Sequence, residues 1–503
     1  MTERMSTGAA AWAGISAAIA ATGAGEVAAL VLAPASSPVA TIGSAIIDLA
    51  PAWAKDLVIA LFGTADKLAL LALIGLALAA LGAAAGILQR ARPPWGAVLV
   101  GSIGALGLLA SLTRDQPDPL AAVPSILAAA TGILCIHVFV RPRARGGSGP
   151  VSRRGFLVAS GSAAVLGAAA VVASTLGRTA DRSVRAIRRA LRLPAATAVA
   201  AVPAGAELAV PGLEPVITPN PEFYRIDTAL IVPQLDPSEW ELRIHGLVDR
   251  EVVLTWDELL ALPLEESVTT LSCVSNEVGG DLVGTAVWLG YPIRHLLARA
   301  GVRPEADMVL SRAQGGFTAG TPLEALVDER NAILAIGMNG EPLPLEHGFP
   351  ARLVVPGLYG YVSATKWVVE LEVTRFDRAT AYWTDRGWSA RGPIKLQSRI
   401  DVPRGREVPA GETVVAGVAW QPHVGIDGVE VRVDGGPWRP TDLASAISDD
   451  TWVQWMLRVD LGPGEHELTC RARSAAGEVQ TEARSPVAPD GATGWHTVRV
   501  TAA

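Results

Sequence analysis

The 503-residue sequence has few charged side chains and few cysteines for its length. Only 18% of its residues are Asp, Glu, Lys or Arg, whereas 50% are apolar, and the mean hydropathy is +0.34. This shortage of charge is unusual for a soluble protein, so part of the chain is expected to lie in lipid. The formal net charge of −7 shows no basic excess, and we therefore expect no nucleic-acid partner.

The three cysteines are too few for a disulfide framework. Cys135 lies in an apolar run and Cys470 in an alternating strand pattern, and both are expected to be packing residues. Cys273 differs, because it ends an apolar strand pattern and begins the loop in TTLSCVSNEVGG. It lacks the neighbouring ligands of a zinc site, which leaves a soft metal centre, a protease nucleophile or simple packing. A nucleophile would need one of three candidate bases, which are His245, His295 and His347.

Histidine is also scarce in the apolar first part of the chain, where only His137 occurs. A haem held between helices usually takes axial side chains that are most often histidines, so no haem is predicted. The sequence lacks an iron–sulfur cysteine set as well. The sequence therefore predicts neither of these two built-in electron carriers.

Five apolar runs occur in residues 1–177, and this segment is predicted to be a transmembrane region of about five helices. The runs are Ala9–Leu32, Leu68–Leu88, Trp95–Leu112, Leu120–Val140 and Gly155–Leu176. The intervening stretch 41–63 is broken by charges and Pro51, and we interpret it as an extracytoplasmic loop with an interfacial helix, a sixth span being the alternative. Glu26 is interpreted as lying near a helix end at the interface, and a functional role is the alternative.

Arginines in the short loops set the expected orientation. They are concentrated at Arg90 and Arg92 and across residues 141–154, which places the amino terminus inside and everything after Leu176 outside. SRRGFL (152–157) opens the fifth run and resembles a twin-arginine export signal, with a plain positive-inside anchor as the alternative. We therefore predict a bacterial cell-membrane protein whose catalytic part is extracytoplasmic.

The composition changes after the fifth run. Residues 178–212 form a predicted linker, residues 213–404 show short strand and helix patterns, and residues 405–503 alternate like an all-β sandwich. Thr255 with Glu258 predicts a capping box, and a short helix is predicted to end at Gly301.

Four segments of the second half of the chain occur in a recognisable order. They are PEFYRIDTAL (221–230), LSCVSN (271–276) followed by GTAVWLG (284–290), EHGFPARLVVPGLYGYVSATKW (346–367), and a tail containing VEVRVDGGPW (429–438) and GEHELTCRA (464–472). Together they cover about 280 residues and resemble the sulfite oxidase family of molybdenum enzymes. The resemblance implies a multi-domain fold: transmembrane helices, an α+β molybdopterin-binding catalytic domain at 213–404, and an immunoglobulin-like, dimerisation-type β-sandwich at 405–503.

The resemblance also implies roles for individual residues. Cys273 would be the protein ligand to molybdenum, and a pterin phosphate would need charged donors from His347, Arg352 and Lys366. The residues implied to be catalytic are Cys273, Arg225 and Asp385. The residues implied to bind the cofactor are Phe223, Tyr224, Arg225, Asn276, His347, Arg352, Ser363 and Lys366.

The sequence departs from the family where sulfite-oxidising members bind their anionic substrate. Glu277 and Val278 follow the Cys-x-x-Asn motif where arginines are expected, and Asp385 in WTDRGW takes the place of the family's tyrosine. An arginine expected from the sandwich aligns near His423. These losses argue against sulfite and favour a neutral substrate such as a sulfoxide. Arg386 and Arg391 are candidates to replace the missing positive charges of the substrate pocket. Three tryptophans would either form the walls of that pocket or pack in the core, and they are Trp288, Trp383 and Trp388.

The sequence thus predicts a membrane-anchored molybdenum-cofactor oxidoreductase that transfers an oxygen atom and two electrons on a small molecule. The alternative is a cofactor-free binding or assembly module on a degenerate sulfite-oxidase fold. The resemblance implies a homodimer, whereas a membrane-bound member is also compatible with a monomer.

Overall fold

The computed structural model describes residues 5–33, 36–49, 66–113, 119–140, 153–179, 182–229 and 232–503. The chain divides into two compact units. The helical first unit comprises Met1–Arg182 with Ala229–Val232, and the second comprises Ser183–Thr228 with Pro233–Ala503.

The described part of the first unit contains long apolar helices. They are α1 Thr7–Leu32, α2 Pro38–Leu49, α3 Asp66–Ala91, α4 Trp95–Leu112, α5 Val123–Phe139 and α6 Arg153–Thr179. Four segments are long and apolar enough to cross a membrane, at Thr7–Leu32, Ala69–Ala91, Trp95–Leu112 and Arg154–Ser174. The remaining predicted span, α5, has 17 residues and is shorter than these four. The stretch predicted as a loop with an interfacial helix contains the end of α2, and its residues 50–63 lie outside the described residues.

Helix α1 packs against α3, α5 and α6 through small residues. A side chain at Gly14 would collide with the carbonyl oxygen of Gly82, and one at Gly23 would lie 2.5 Å from that of Gly167. Glycines at such crossings let helix backbones approach closely, which is how helices associate in lipid.

Glu26 lies inside this helical unit and is only 1% exposed. Its carboxylate accepts hydrogen bonds from the Ser37 hydroxyl at 2.8 Å and from the backbone N–H of Val39 at 3.0 Å. The side chain therefore satisfies donors at the start of α2.

The second unit begins with two sheets that form the predicted α+β part. One has the strand order β2-β1-β10-β5-β6, and the other has the order β3-β4-β7-β8 with β9 paired to β7. The strands are β1 Glu241–Gly246, β2 Val252–Thr255, β3 Glu265–Ser272, β4 Val283–Pro292, β5 Met308–Ala313, β6 Thr318–Pro322, β7 Ile333–Met338, β8 Glu341–Pro342, β9 Arg352–Val354 and β10 Val368–Thr374.

The helices of the second unit are short. They are α7 Arg182–Ala190, whose first residue belongs to the first unit, α8 Trp256–Leu260, α9 Ile293–Ala300, α10 Glu324–Val327 and α11 Gly360–Ser363. The predicted capping box is confirmed, since Thr255 accepts from the backbone of Glu258 while the Glu258 carboxylate accepts from that of Thr255. The predicted glycine cap is confirmed as well, because Gly301 ends α9 in the left-handed conformation.

Two sheets form the predicted all-β sandwich, and their strands pair antiparallel except for the parallel pair β12–β19. Their strand orders are β11-β13-β17-β16 and β12-β19-β18-β14-β15, and one apolar core joins them. The strands are β11 Gln397–Val402, β12 Glu407–Val408, β13 Gly411–Trp420, β14 Ile426–Val433, β15 Arg439–Pro440, β16 Asp442–Leu443, β17 Val453–Leu461, β18 Gly464–Ser474 and β19 His496–Ala502. Strand β11 precedes residue 405, and the predicted boundaries of 178–212, 213–404 and 405–503 stay predictions.

The sandwich holds the strand that leads to Cys273. The backbone N–H of Thr270 in β3 donates to Asp450 at 3.0 Å, and the N–H of Trp452 donates to the Thr270 hydroxyl at 2.7 Å. The Trp452 indole, 1% exposed, donates to the carbonyl of Val216 at 2.8 Å. Buried hydrogen bonds of this kind fix the position of β3 because breaking them leaves polar groups unsatisfied.

Candidate functional site

The loop between β3 and β4 is closed by its own hydrogen bonds. The Cys273 N–H donates to the Leu282 carbonyl at 2.9 Å, and the Asn276 N–H donates to the Cys273 carbonyl at 3.0 Å. The Asn276 side-chain oxygen accepts from the Leu282 N–H at 2.9 Å. Asn276, predicted to bind the cofactor, is thus seen to hold the loop that presents Cys273.

The thiol of Cys273 is buried, with 9% of the residue exposed. Burial raises the pKa of this thiol, and hydrogen bonds from the backbone and hydroxyl of Ser275 oppose that shift. Among the described residues, none of the three histidines that were candidate bases has a recorded hydrogen bond to it. The hydrolase interpretation is therefore unsupported, because a cysteine nucleophile needs a lowered pKa or an adjacent base.

Two residues of the sandwich contact the Cys273 loop. The Arg399 guanidinium donates to the Gly280 carbonyl at 2.9 Å and to the Asp401 carboxylate at 2.6 Å. The ring of His496 packs where a side chain on Gly279 would have to lie, and Gly279 has φ of +80°, which favours glycine. Sequence analysis missed both residues, because each is more than a hundred positions from the loop.

Arg352 is a buried cation whose hydrogen-bond partners are backbone carbonyls. It is 5% exposed and donates to the carbonyls of His347 at 3.1 Å and Leu353 at 3.3 Å. No carboxylate in the described part of the chain is recorded within salt-bridge distance of it. Burial lowers the pKa of Arg352 to about 10, which shows how strongly an anion is needed to stabilise the charge.

Lys366 lies in the same cluster. Its Nζ pairs with Asp227 at 2.8 Å and donates to the Glu346 carbonyl at 3.1 Å, while Arg225 pairs with Asp227 at 3.1 Å. Burial lowers the pKa of Lys366 to about 8, even though Asp227 raises it. Sequence analysis missed Asp227, although it lies in the segment that contains Arg225.

His347 is buried beside these cations. Its Nε2 lies 3.3 Å from the Asn220 carbonyl, and the Phe223 ring meets its edge at a centroid distance of 5.6 Å. Burial, followed by the charges of Arg352 and Lys366, lowers the pKa of His347 to about 4. His347 is therefore neutral near pH 7 unless an anion binds next to it.

Two tyrosines lie near the thiol, and one of them, Tyr224, also lies near Arg352. Burial raises the pKa of Tyr224, and the nearby Cys273 raises it further while Arg352 lowers it. Burial also raises the pKa of Tyr359 to about 12, with a smaller contribution from Cys273. Both phenols therefore lie within electrostatic range of Cys273, and the ring of Phe223 stacks on that of Tyr224 at 5.2 Å.

These residues fit a molybdopterin cofactor. The cation cluster, defined as His347, Arg352 and Lys366, supplies buried donors for a dianionic phosphate and has one recorded carboxylate, Asp227. Gly348 lets the segments meet, because a Cβ there would lie 3.1 Å from the Cβ atoms of both cations. In the described part of the chain no group of three or more His, Cys, Asp or Glu side chains is placed to hold a metal ion. A single thiolate at Cys273 is compatible with a metal whose remaining ligands come from a cofactor.

Two predicted residues have other contacts. Ser363 is buried and donates to the carbonyl of Tyr359 at 3.0 Å. Asp385 is exposed and accepts a hydrogen bond from Thr380, which lines a cavity of about 370 Å³. No recorded contact among the described residues joins Asp385 to Cys273, so its catalytic role stays a prediction.

Comparisons with known proteins show which family has similar sequences and structures. Residues 229–383 match the family described as oxidoreductase molybdopterin binding domain. An uncharacterised oxidoreductase of Bacillus subtilis (strain 168) is 36% identical over 157 residues, which cover 31% of this chain and 76% of that protein. The chain belongs to the sulfite oxidase family of molybdopterin-dependent oxidoreductases.

Other relatives match a longer part of this chain than residues 229–383. Mitochondrial sulfite oxidase of Homo sapiens is 30% identical over 324 residues, 54% of this chain and 59% of that protein. The chain thus spans about 59% of the curated relative's length. The crystal structure of the sulfane dehydrogenase SoxCD from Paracoccus pantotrophus aligns with a TM-score of 0.50 and 26% identity, over 57% of this chain and 81% of that one. The predicted family and the molybdopterin domain are confirmed.

Proposed function

We propose that the protein is a membrane-anchored molybdenum-cofactor oxidoreductase that moves an oxygen atom on a small uncharged substrate outside the cytoplasm. The observation that carries this proposal is that Tyr224 lies within electrostatic range of both the buried thiol of Cys273 and the buried cation Arg352, which has no carboxylate partner among the described residues. Because an uncompensated buried charge is strongly unfavourable, such a cation is best explained by an anionic ligand. The pterin phosphate of the family's cofactor is that ligand.

Each part of the site has a separate task. Arg352, Lys366 and His347 hold the phosphate end of the cofactor, and the Phe223–Tyr224 pair packs beside it. Cys273 supplies the single protein ligand to molybdenum, and the closed loop of Asn276 and Leu282 keeps its sulfur in place. When bound, the cofactor supplies two-electron oxygen-atom chemistry.

The surroundings favour an uncharged substrate. The two arginines considered as substitutes for the missing anion pocket have partners elsewhere: Arg391 pairs with Glu324 at 2.6 Å, and Arg386 stacks over Tyr382 at 3.6 Å. Glu277 is exposed next to the Cys273 loop and adds negative charge there. A dianion would therefore be repelled more than a neutral sulfoxide.

The helical first unit supports the anchoring. Its four long apolar segments have the length that a bilayer requires, and lipid is the environment in which such exposed apolar surfaces are stable. The distribution of arginines supports an extracytoplasmic catalytic part, and the RRGF motif supports twin-arginine export. A quinone or a redox protein would exchange the electrons, and the immunoglobulin-like sandwich would form a homodimer.

Metal analysis of the full chain tests the proposal most directly. Protein expressed in a host that makes the molybdenum cofactor should contain about one molybdenum per chain. A reduced dye serves as electron donor for sulfoxides and nitrate, and an oxidised dye serves as electron acceptor for sulfite. These screens should show turnover of sulfoxides and little turnover of sulfite or nitrate.

The outcomes separate the candidate functions. A chain without molybdenum from a competent host would support the cofactor-free binding module and end the proposal. Molybdenum with activity on sulfite alone would keep the enzyme and overturn the uncharged substrate.

A further inference from the structure

Helix α7 follows the last apolar helix almost immediately. Helix α6 ends at Thr179 and α7 begins at Arg182, so the two helices are separated by two residues. The apolar part of α6 ends at Ser174. If α6 spans a membrane, α7 must lie near the lipid headgroups, because a chain of so few residues cannot reach far.

One face of α7 is attached to the second unit. Val184 is 3% exposed, and Leu191 packs against the apolar core. Arg188 donates to the carbonyls of Leu343 at 2.7 Å and Pro342 at 2.6 Å. These contacts attach α7 to the second unit, and the linker predicted for residues 178–212 stays a prediction.

The attached face is connected to the cofactor site. Arg188 pairs with Glu341 at 3.1 Å, and the Asn220 side chain donates to Glu341 at 2.6 Å. The Asn220 carbonyl lies 3.3 Å from Nε2 of His347. Displacing α7 would therefore disturb a residue of the cation cluster.

A neighbouring side of α7, together with the residues directly after it, carries three exposed arginines. Arg185 and Arg189 lie one turn apart on α7, about 100° around the helix from Val184 and Arg188, and Arg192 follows two residues after the helix ends at Ala190. Among the described residues, none of the three has a recorded carboxylate partner. Some exposed arginines of this unit do have such a partner, as Arg473 with Asp427 at 2.7 Å shows.

We propose that Arg185, Arg189 and Arg192 form a docking surface for the phosphate groups of an anionic membrane, which fixes the catalytic unit against the bilayer that α6 spans. Charge complementarity and the short connection to an apolar span identify the lipid headgroup layer as the occupant. Each arginine near such a surface favours the bound state by about fivefold. The inference depends on the proposed membrane anchoring but not on the proposed chemistry.

The test uses the full chain in nanodiscs of neutral phosphatidylcholine, with or without about one third anionic phosphatidylglycerol. Hydrogen–deuterium exchange reports on the backbone of residues 183–193. We expect exchange in this segment to be at least about fivefold slower in the anionic discs, and high salt should abolish the difference. Inorganic phosphate added to neutral discs should not reproduce the protection.

Three variants complete the test. The triple change Arg185→Gln, Arg189→Gln, Arg192→Gln should lose the lipid-dependent protection, and the corresponding triple Lys change should keep it. The charge-matched control is Arg439→Gln, Arg458→Gln, Arg499→Gln, which alters exposed arginines of the sandwich and should behave like the unmodified chain.

Each result is decisive. Equal exchange in the two disc types, or equal loss of protection in the control, would overturn the docking surface. Failure of the chain to enter nanodiscs at all would overturn the anchoring as well. Molybdenum content is measured separately, so a defect in the chemistry cannot be mistaken for either outcome.

Discussion

Two buried thiols of the second unit, Cys273 and Cys470, differ in their surroundings rather than in their burial. Cys470 is 0% exposed in strand β18 and accepts a hydrogen bond from the Ser398 hydroxyl at 3.3 Å, within the sandwich core. Cys273 is 9% exposed in a loop within electrostatic range of Tyr224, which is also within range of the buried Arg352. Burial raises the pKa of both thiols. Burial therefore does not separate the two thiols, whereas their positions do, since one lies in the sandwich core and the other in a loop of the proposed cofactor site.

The largest expected difference concerns the two thiols themselves. Cys273→Ser should reduce molybdenum from about one per chain to less than about a tenth, because the hydroxyl is a poor soft-metal ligand. Cys470→Ser should keep the metal and lower the free energy of unfolding by about 1–2 kcal/mol, since it buries a hydroxyl in an apolar core. Metal analysis and denaturant unfolding provide the measurements. Equal metal content in both variants would remove the distinction.

The second prediction concerns a variant that should make the Cys273 loop more mobile without changing the reactivity of Cys470. Arg399→Met should lower the free energy of unfolding by about 3 kcal/mol, because it leaves Asp401, 6% exposed, without its partner. In cofactor-free chain, alkylation of Cys273 should become about tenfold faster, and that of Cys470 should not change. Peptide mass spectrometry after timed alkylation measures both rates.

The matched control for this variant is Arg499→Met. Arg499 is 85% exposed and pairs with Glu467, so its loss should change stability by less than about 0.5 kcal/mol. If Arg399→Met alkylates at the rate of the unmodified chain, the sandwich does not hold the loop.

The third prediction compares two histidines that are withdrawn from solvent, one in the cation cluster and one in the sandwich. His347 lies in the cation cluster and His496 is the strand partner of Cys470, and burial lowers the pKa of each to about 4. The unfolded value is near 6.5, so the fold stabilises the neutral form. This stability is complete above pH 6.5 and is lost as the pH falls towards 4, by about 3 kcal/mol for each histidine.

Denaturant unfolding between pH 7 and pH 4 measures this dependence. His347→Gln and His496→Gln should each remove about half of it in the cofactor-free chain. Bound cofactor should reduce only the pH-dependent loss of stability that is due to His347, because a phosphate raises the pKa of an adjacent imidazole. A cofactor effect on the His496 part instead would show that the phosphate lies elsewhere.

The smallest predicted effect is the removal of the unpaired cation. Arg352→Met should weaken cofactor retention by about 10- to 100-fold, since a charge-assisted hydrogen bond contributes about 1.5–3 kcal/mol. The cofactor-free chain should not lose stability, because the variant removes a buried charge that has no carboxylate partner. Retention is measured as molybdenum remaining after dialysis.

Arg473→Met is the control for this change. Arg473 is 54% exposed beside Asp427, so neither retention nor stability should change appreciably. A marked loss of stability in cofactor-free Arg352→Met would mean that Arg352 is structural rather than a phosphate ligand.

Local patterns were sufficient for several features of the fold and the site. The change from an apolar strand pattern to a Gly-rich pattern predicted that Cys273 lies in a loop at the end of a strand. The spacing of Thr255 and Glu258 predicted a capping box, which the structure confirms. His347, Arg352 and Lys366 were expected to act together, and the structure places them in one buried cluster. These features depend on neighbours in the chain or on an ordered motif.

Contacts between distant positions were not predictable. Lys366 pairs with Asp227 across 139 positions, and Arg399 reaches the Gly280 carbonyl across 119. No local period links such residues, because their approach depends on how sheets and loops pack. The role of α7 was missed for the same reason, since its attachment requires the carbonyls of Pro342 and Leu343.

The sequence alone determined that a lone loop thiol lies among family motifs and that apolar segments precede it, because both are properties of residue order. Only the tertiary structure decided which cations are buried without a carboxylate, which sandwich residues support the thiol loop, and which arginines stay exposed. The physical reason is that the effect of a charge or a thiol depends on what surrounds it in space. Burial, dielectric surroundings and partners are set by packing, which brings together residues that are far apart in the chain.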